Sequence, residues 1–325
     1  LNEAVNISNI FVDKGQLVVS TKGKVETRNQ DHYTRYPAVD KNIPLVILVN
    51  GGSASASEIV AGAVQDLDRG IVLGQKTFGK GLVQNVIPLS YNAQVKVTVA
   101  KYYIPSGRCI QAIDYSHKNG NGEYDKIPDS LITEFKTKNG RKVYDGGGID
   151  PDIKLKEQKY SNIATSLFAN YHIFNFATLF AEEHKEIASA EEFTITDDIY
   201  SEFVEYISDK DYEYTTECEE KLKSLKKAAK KELYFEAVKD EYDELFSVLM
   251  HNKEEDLSTF QDEIKELLKI EIVSRYYYQK GKIISTLKDD PEIGKAIEVL
   301  DDQPKYDAIL VGTYENNDKD EPKEG

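Results

Sequence analysis

The residues whose types and spacing suit covalent chemistry lie between residues 44 and 84. A serine cluster, Ser53-Ala-Ser-Ala-Ser57, follows a Gly-Gly pair and precedes apolar residues at helical spacing, so it occupies a turn and the start of a helix. Free N–H groups and the positive end of the dipole lie there, which suits an oxyanion in acyl transfer. Simple helix capping gives the same pattern, with Ser57 as N-cap and Glu58 in the first turn. The serines alone therefore favour a structural role.

A lysine between two glycines supplies the base that a serine nucleophile needs. Lys80 ends the segment Gly74-Gln-Lys-Thr-Phe-Gly-Lys before one further glycine, and Phe78 offers apolar cover. The flanking glycines let the backbone approach another segment closely. A lysine acts as a base when burial or a nearby cation lowers its pKa. If the strand predicted from Leu82 to Leu89 begins as early as Lys80, Gln84 shares the face of Lys80 and can orient its amine. The alternative is an ordinary solvated lysine in a turn.

Nucleotide binding is the competing interpretation of the same lysine. Gly74 and the Gly79-Lys80 pair have the spacing of a phosphate-binding loop. Such a loop needs Ser or Thr after the lysine and then a helix, whereas Gly81 and a β-branched run that ends in Pro88 follow here. The sequence therefore predicts no nucleotide.

The sequence gives even less support for a catalytic, metal or redox site built from histidine or cysteine. A Ser-His-Asp triad with His32 and Asp31 lacks a Gly-x-Ser-x-Gly elbow. Cys109 and Cys218 lie far apart, in no metal or redox spacing. The five histidines are scattered without a metal-binding motif: His32, His117, His172, His184 and His251. No metal or cofactor is expected.

The order of elements predicts an α/β first half. Leu1 to Val12 has helical spacing, and the run from Pro44 to Asn50 is typical of a strand buried on both faces. The helix after the serine cluster leads to a short strand, Ile71 to Leu73. Alternation from Ala93 to Ile104 indicates a strand with one wet face.

The second half differs in pattern and in charge. From Tyr160 onward, apolar residues recur at helical spacing within Lys/Glu-rich sequence. The net charge is +4 over residues 1–159 and −20 over residues 160–325, which argues against nucleic acid as a partner of the second half. We predict two domains, residues 1–158 and 159–325, with a disordered acidic tail from about residue 314. No apolar run approaches the roughly 20 residues of a membrane span.

Three motifs together resemble the core of the carboxyl-terminal processing, or tail-specific, serine proteases. They are Gly52-Ser-Ala-Ser-Ala-Ser-Glu58, Thr77-Phe-Gly-Lys-Gly81 and Gln84. The resemblance implies that Ser55 is the nucleophile of a Ser-Lys dyad, Lys80 the general base and Gln84 the residue that orients the lysine. It also implies that the backbone N–H of Ala56 is one oxyanion donor, and that Ser53 and Ser57 are helix-turn residues.

Later segments extend the resemblance. Tyr102-Tyr-Ile-Pro-Ser-Gly-Arg108 with Ile110-Gln111 is similar to the family segment that shapes the cleft, and the Gly-Gly-Ile-Asp-Pro-Asp stretch before Ile153 closes the core. The family fold is an α/β, crotonase/ClpP-like β-β-α protease core, here followed by an all-α C-terminal domain. The family's oxyanion stretch before residue 1 and its PDZ domain are not in this chain. The start at Leu1 without methionine indicates a fragment or a mature form.

The function that the resemblance implies is a serine endopeptidase that cleaves proteins near or from their C-terminal tails. A catalytically impaired peptide-binding scaffold of the same fold is the alternative. The expected partners are protein or peptide substrates, with the helical domain a candidate for homo-oligomer or adaptor contacts. The resemblance also implies a cell-envelope, periplasmic location.

Overall fold

The computed structural model of the chain describes residues 1–122, 124–157, 159–249 and 253–314. Contacts divide these residues into two units. The first contains Leu1–Glu157 and the described residues from Pro291 to Tyr314, and the second contains the described residues between them. The sequence predicted a helical domain that continues to the end of the chain, whereas in the structure the helices after Pro291 pack in the first unit. The predicted acidic tail, residues 315–325, lies outside the described residues.

Helices and strands alternate in the first unit, and helices fill the second. The strands are β1 (Leu17–Lys22), β2 (Gln30–Tyr33), β3 (Val46–Val49), β4 (Ile71–Gly74), β5 (Leu82–Pro88), β6 (Gln94–Tyr103), β7 (Ile113–Lys118), β8 (Tyr124–Lys126), β9 (Glu134–Lys136), β10 (Lys142–Tyr144) and β11 (Ile153–Lys154). The helices are α1 (Asn2–Phe11), α2 (Ala56–Asp66), α3 (Asn162–Ala169), α4 (His172–Glu183), α5 (Asp197–Ile207), α6 (Glu217–Lys231), α7 (Lys239–Leu249), α8 (Lys253–Thr259), α9 (Gln261–Leu287), α10 (Pro291–Asp301) and α11 (Gln303–Leu310). The predicted fold class, an α/β region followed by a helical region, is confirmed.

Two sheets position the candidate site. The antiparallel sheet has the order β2-β1-β6-β5, and the parallel sheet has the order β11-β4-β3. Helix α2 connects β3 to β4, which is the crossover that parallel neighbours require. Its buried face packs with residues of both sheets, such as Ile59 with Val72 of β4 and Ile104 after β6. Helix α2 therefore shares one apolar core with both sheets, and this core fixes the position of its first turn.

Helices α10 and α11 add a second layer to the parallel sheet. Val299, Tyr306 and Ile309 form one buried cluster with Ile71 and Leu73 of β4. The Tyr306 hydroxyl lies 2.8 Å from the backbone nitrogen of Leu45 and 3.1 Å from its carbonyl oxygen. The β4 strand is fully buried as a result.

Two predicted strands are less buried than their patterns suggest. In β3, Val46 packs against the α10–α11 cluster, but Leu48 on the same strand lies outside that cluster and is 37% exposed. In β6, Val95 and Val97 are each 37% exposed, because this end of the β5–β6 hairpin extends past the core. The apolar run and the alternation therefore identified these two strands but did not predict how exposed their side chains are.

Helices α3 to α9 lie in the second unit, where α6 and α7 pack in a small cluster with Phe235 and the other helices share a larger apolar core. This core includes Phe176, Phe203 and Leu268, all nearly or fully buried. Helix α9 matches the helix predicted from Phe260 to Ile284, and its backbone departs from helical geometry at Tyr278. Within the described residues, no helix combines the length and apolar character that crossing a membrane requires.

Candidate active site

Ser55 is the N-cap of α2, two residues earlier than the capping interpretation placed it. Its backbone has φ 59° and ψ −113°, which is a costly conformation for a residue with a side chain. The preceding turn holds this geometry: the Ser53 N–H donates to the Asn50 carbonyl oxygen at 2.9 Å, and the Asn50 N–H donates to Ser53 Oγ at 3.1 Å. Ser55 is half-buried, and Ala56 is exposed as the first residue of α2. The first N–H groups of a helix have no intrahelical partner, so they are available to a ligand.

A buried carboxylate joins the serine to the lysine segment. Glu58 is 0% exposed. Its Oε2 accepts hydrogen bonds from the backbone N–H groups of Ser55 at 2.8 Å and Lys80 at 2.9 Å. Its Oε1 accepts from Thr77 Oγ1 at 2.6 Å and from the Gly79 N–H at 2.7 Å. One side chain therefore fixes the backbone of both predicted catalytic residues.

The sequence pattern predicted for Glu58 only a favourable position in the first helical turn. Its position three residues after Ser55 is the spacing of a capping box, which was the available signal. The bonds to Thr77, Gly79 and Lys80 could not be predicted from local pattern, because they span about 20 residues of chain.

Tyr102 of β6 makes a second connection. It is 2% exposed, and its hydroxyl lies 3.2 Å from the Ser55 carbonyl oxygen and in hydrogen-bond contact with the Lys80 carbonyl oxygen. Burial, with the nearby Glu58 charge, raises the pKa of Tyr102 far above its ordinary value. The phenol therefore stays protonated and can donate to these carbonyl oxygens.

The glycines around Lys80 permit close backbone packing, as predicted. A Cβ on Gly79, whose φ is +83°, would lie 2.4 Å from the Ala112 Cβ, and one on Gly81 would lie 2.8 Å from the Gln111 nitrogen. The Gly81 N–H donates to Gln111 Oε1 at 2.7 Å. Lys80 itself is half-buried. Phe78, which was expected to cover it, is 52% exposed.

Gln84 occupies the exposed part of β5. Its Nε2 lies 3.5 Å from Thr98 Oγ1 on the neighbouring strand. The strand begins at Leu82, and a β-bulge lies between Val83 and Gln84, so simple alternation does not run unbroken from Lys80. In the described part of the chain, no hydrogen bond joins the side chains of Ser55, Lys80 and Gln84. Their catalytic roles stay predictions.

The segment from Tyr102 to Arg108 supports the site by holding the C-terminal end of α2. The Arg108 side chain is 0% exposed and donates to Asp66 Oδ1 at 2.9 Å and to Gln65 Oε1 at 2.7 Å. The Ser106 N–H donates to Asp66 Oδ2 at 2.9 Å. Burial raises the pKa of the Asp66 carboxyl, and Arg108 opposes that rise. Arg108 thus anchors the last turn of α2.

The competing sites lack support in the described residues. Asp31 Oδ1 accepts a hydrogen bond from Ser20 Oγ at 2.6 Å, within the β1–β2 pair. Burial, with the nearby Arg35 charge, lowers the pKa of His32. No group of His, Cys, Asp and Glu residues in the described chain could hold a metal ion. The side chain of His117 and all of His251 lie outside this description.

Two family models match the chain. Residues 1–116 match peptidase family S41, and residues 163–300 match the C-terminal helical domain of probable PDZ-proteases. The resemblance predicted from the three motifs is thereby confirmed. All the predicted site residues, from Ser55 to Gln84, lie within this S41 region.

The relatives of the S41 region are processing proteases. A carboxy-terminal-processing protease of Bartonella bacilliformis is 45% identical over 117 residues, which cover 35% of this chain and 26% of that protein. A chloroplastic C-terminal processing peptidase of Tetradesmus obliquus is 44% identical over 114 residues, covering 34% and 24%. The solved photosystem II D1 C-terminal processing protease shares 30% identity over 48% of this chain and 31% of its own, with a TM-score of 0.34. The chain thus spans about a quarter of the length of these curated relatives.

Proposed function

We propose that the protein is a serine endopeptidase that cleaves proteins near or from their C-terminal tails. The observation that carries the proposal is the hydrogen bonding of Glu58 to the backbone N–H groups of both Ser55 and Lys80. It brings a serine at a helix N-terminus and a glycine-flanked lysine into one rigid arrangement. The match of residues 1–116 to peptidase family S41 supports the same chemistry.

In the proposed mechanism, Ser55 Oγ attacks the carbonyl carbon of the scissile peptide bond while uncharged Lys80 takes its proton. The oxyanion accepts a hydrogen bond from the Ala56 N–H at the start of α2. The C–N bond then breaks, and the Lys80 ammonium gives its proton to the leaving amine. A water molecule, deprotonated by Lys80, hydrolyses the acyl-enzyme and releases Ser55. Gln84 orients the lysine.

Substitution of the dyad tests the proposal. An unstructured protein with an apolar C-terminal tail is the substrate, and this chain is the enzyme. Ser55→Ala and Lys80→Ala should each abolish cleavage. Ser57→Ala and Lys76→Ala change an exposed serine and an exposed lysine nearby and should retain it. Cleavage that survives both dyad substitutions would disprove the mechanism.

The pH profile tests the base separately. Cleavage should rise with pH, because only an uncharged amine accepts the serine proton. A rate that does not change from about pH 6 to 9 contradicts a lysine base.

A peptide-binding scaffold without turnover is the second candidate. The observation in its favour is that the side chains of Ser55 and Lys80 share no hydrogen bond in the described chain. A scaffold would bind the same tails in both the parent chain and Ser55→Ala but leave them intact. Under either function, we propose substrates with C-terminal tails and a location in the cell envelope.

A further inference from the structure

We propose that the free edge of β5 binds an extended segment of the polypeptide substrate as an added β-strand. This inference rests on the proposed peptidase function and names how its substrate is held. Strand β5 is the last strand of the sheet β2-β1-β6-β5 and, in the part of the chain that the structure describes, pairs only with β6. Its outer row of backbone N–H and C=O groups is the feature that an extended peptide can pair with.

The position of this edge ties it to the predicted dyad. Strand β5 begins at Leu82, two residues after Lys80, and carries Gln84. Its seven residues extend about 20 Å, at roughly 3.3 Å per residue. A peptide strand laid along β5 therefore starts next to the lysine and continues away from it for about six residues.

The composition of the edge also favours an added strand. Exposed edges are usually protected by charged residues, prolines or β-bulges; β5 has the sequence Leu-Val-Gln-Asn-Val-Ile-Pro, without a charge, and its bulge and its proline lie near its two ends. Val86 is 57% exposed and Ile87 is 44% exposed. The strand at the opposite edge of the sheet, β2, is shorter and carries Asp31. Main-chain pairing, with contacts to alternate side chains, suits substrates that are unstructured tails of varied sequence.

The first experiment measures binding without turnover. This chain with Ser55→Ala is titrated with a fluorescent peptide that has an apolar C-terminal tail, and with copies in which one backbone amide at a time is N-methylated. Only every second residue of an added strand directs its N–H toward the edge. Methylation should therefore weaken binding about threefold to tenfold at alternate positions and little at those between. A uniform effect, or none, overturns the proposal.

The second experiment uses a matched pair of variants. Ile87 on the edge strand and Val95 on the inner strand are cross-strand partners, so they share a face of the hairpin. In the Ser55→Ala chain, Ile87→Lys should weaken peptide binding, because residue 87 lies beside the added strand. Val95→Lys, one strand further away, should leave binding nearly unchanged. Equal losses mean that a partner covers the face, which overturns edge pairing.

Measurements of cleavage and of oligomeric state distinguish edge pairing from the peptidase function and from dimer formation. Cleavage by the unsubstituted chain is measured independently, so peptidase activity without an alternating methylation pattern refutes the edge while the function stands. Alternating binding without cleavage supports the edge and refutes the peptidase. A dimer that Ile87→Lys converts to a monomer would show that the edge pairs with a second copy, contrary to the proposal.

Discussion

A carboxylate can accept several hydrogen bonds at once, and Glu58 uses this capacity to hold two separate segments. Its four donors belong to the serine turn, to Thr77 and to the backbone around Lys80. Tyr102 reinforces the arrangement, because its hydroxyl contacts the carbonyl oxygens of Ser55 and Lys80. At the residue scale, the site is positioned by two buried side chains that take no part in the proposed proton transfers.

Glu58→Gln tests the carboxylate with almost no change of shape. The amide nitrogen of glutamine would face one pair of donors and lose both bonds. We expect kcat to fall about 100-fold, since hydrogen bonds to a charged group contribute about 1.5 to 3 kcal/mol each, while KM changes little. Steady-state kinetics measures both constants, with exposed Glu26→Gln as control. A kcat equal to that of the parent would refute this role.

Tyr102→Phe removes one hydroxyl and keeps the ring. The Ser55 and Lys80 carbonyl oxygens then lose their shared donor, so we expect kcat to fall about tenfold with KM nearly unchanged. Tyr103→Phe is the matched control, because this neighbouring ring is half-buried and keeps its contact with the Lys22 ammonium without its hydroxyl. The role is refuted if the two variants behave alike in a kinetic assay.

The link between α2 and the segment after β6 operates at the scale of elements. Arg108→Leu would leave Asp66 buried without its cation, which costs about 3 to 5 kcal/mol of unfolding free energy. Urea unfolding measures the loss. Adding Asp66→Asn should restore part of the stability, because no buried charge then remains. A single variant as stable as the parent would contradict this anchoring role.

The same variant should show a characteristic pH dependence. Burial raises the folded-state pKa of Asp66, and removal of Arg108 raises it further because that charge opposes the shift. The folded form then binds the proton more tightly than the unfolded form does. The stability that Arg108→Leu loses relative to the parent should therefore be smallest below about pH 4 and should grow as pH rises through the folded-state pKa of Asp66. A loss that shrinks as pH rises over this range would contradict the assignment.

Elements were predicted well where their signals are local. The helix after the serine cluster, the strand of residues 71–73 and the close approach at Gly79 follow from spacing and from glycine chemistry. The four bonds of Glu58 and the return of α10 and α11 do not, because they join residues far apart in the chain. Leu45 and Tyr306, for example, are 261 residues apart. The local pattern places Tyr306 on the apolar face of a helix, but it does not show which strand that face covers.

At the scale of the whole molecule, the first unit is built from both ends of the chain. A chain that stops after Asp290 loses Val299, Tyr306 and Ile309 and uncovers β4. We expect it to unfold at lower urea concentration or to aggregate, whereas a chain that stops after Tyr314 should match the parent. Size-exclusion chromatography and urea unfolding compare the two truncations. Equal stability would show that α10 and α11 are dispensable.

This arrangement delays completion of the first unit during protein synthesis. Residues up to Glu157 emerge from the ribosome before the second unit, whereas the partners of Ile71 and Leu73 in α10 and α11 emerge only after the second unit has been made. At about 5 to 20 residues per second, the delay is roughly 10 to 30 s. During that time the S41 region displays apolar surface that its own chain will later cover. Until α10 and α11 have been synthesised, this surface must be protected by chaperones, or aggregation must be slower than synthesis.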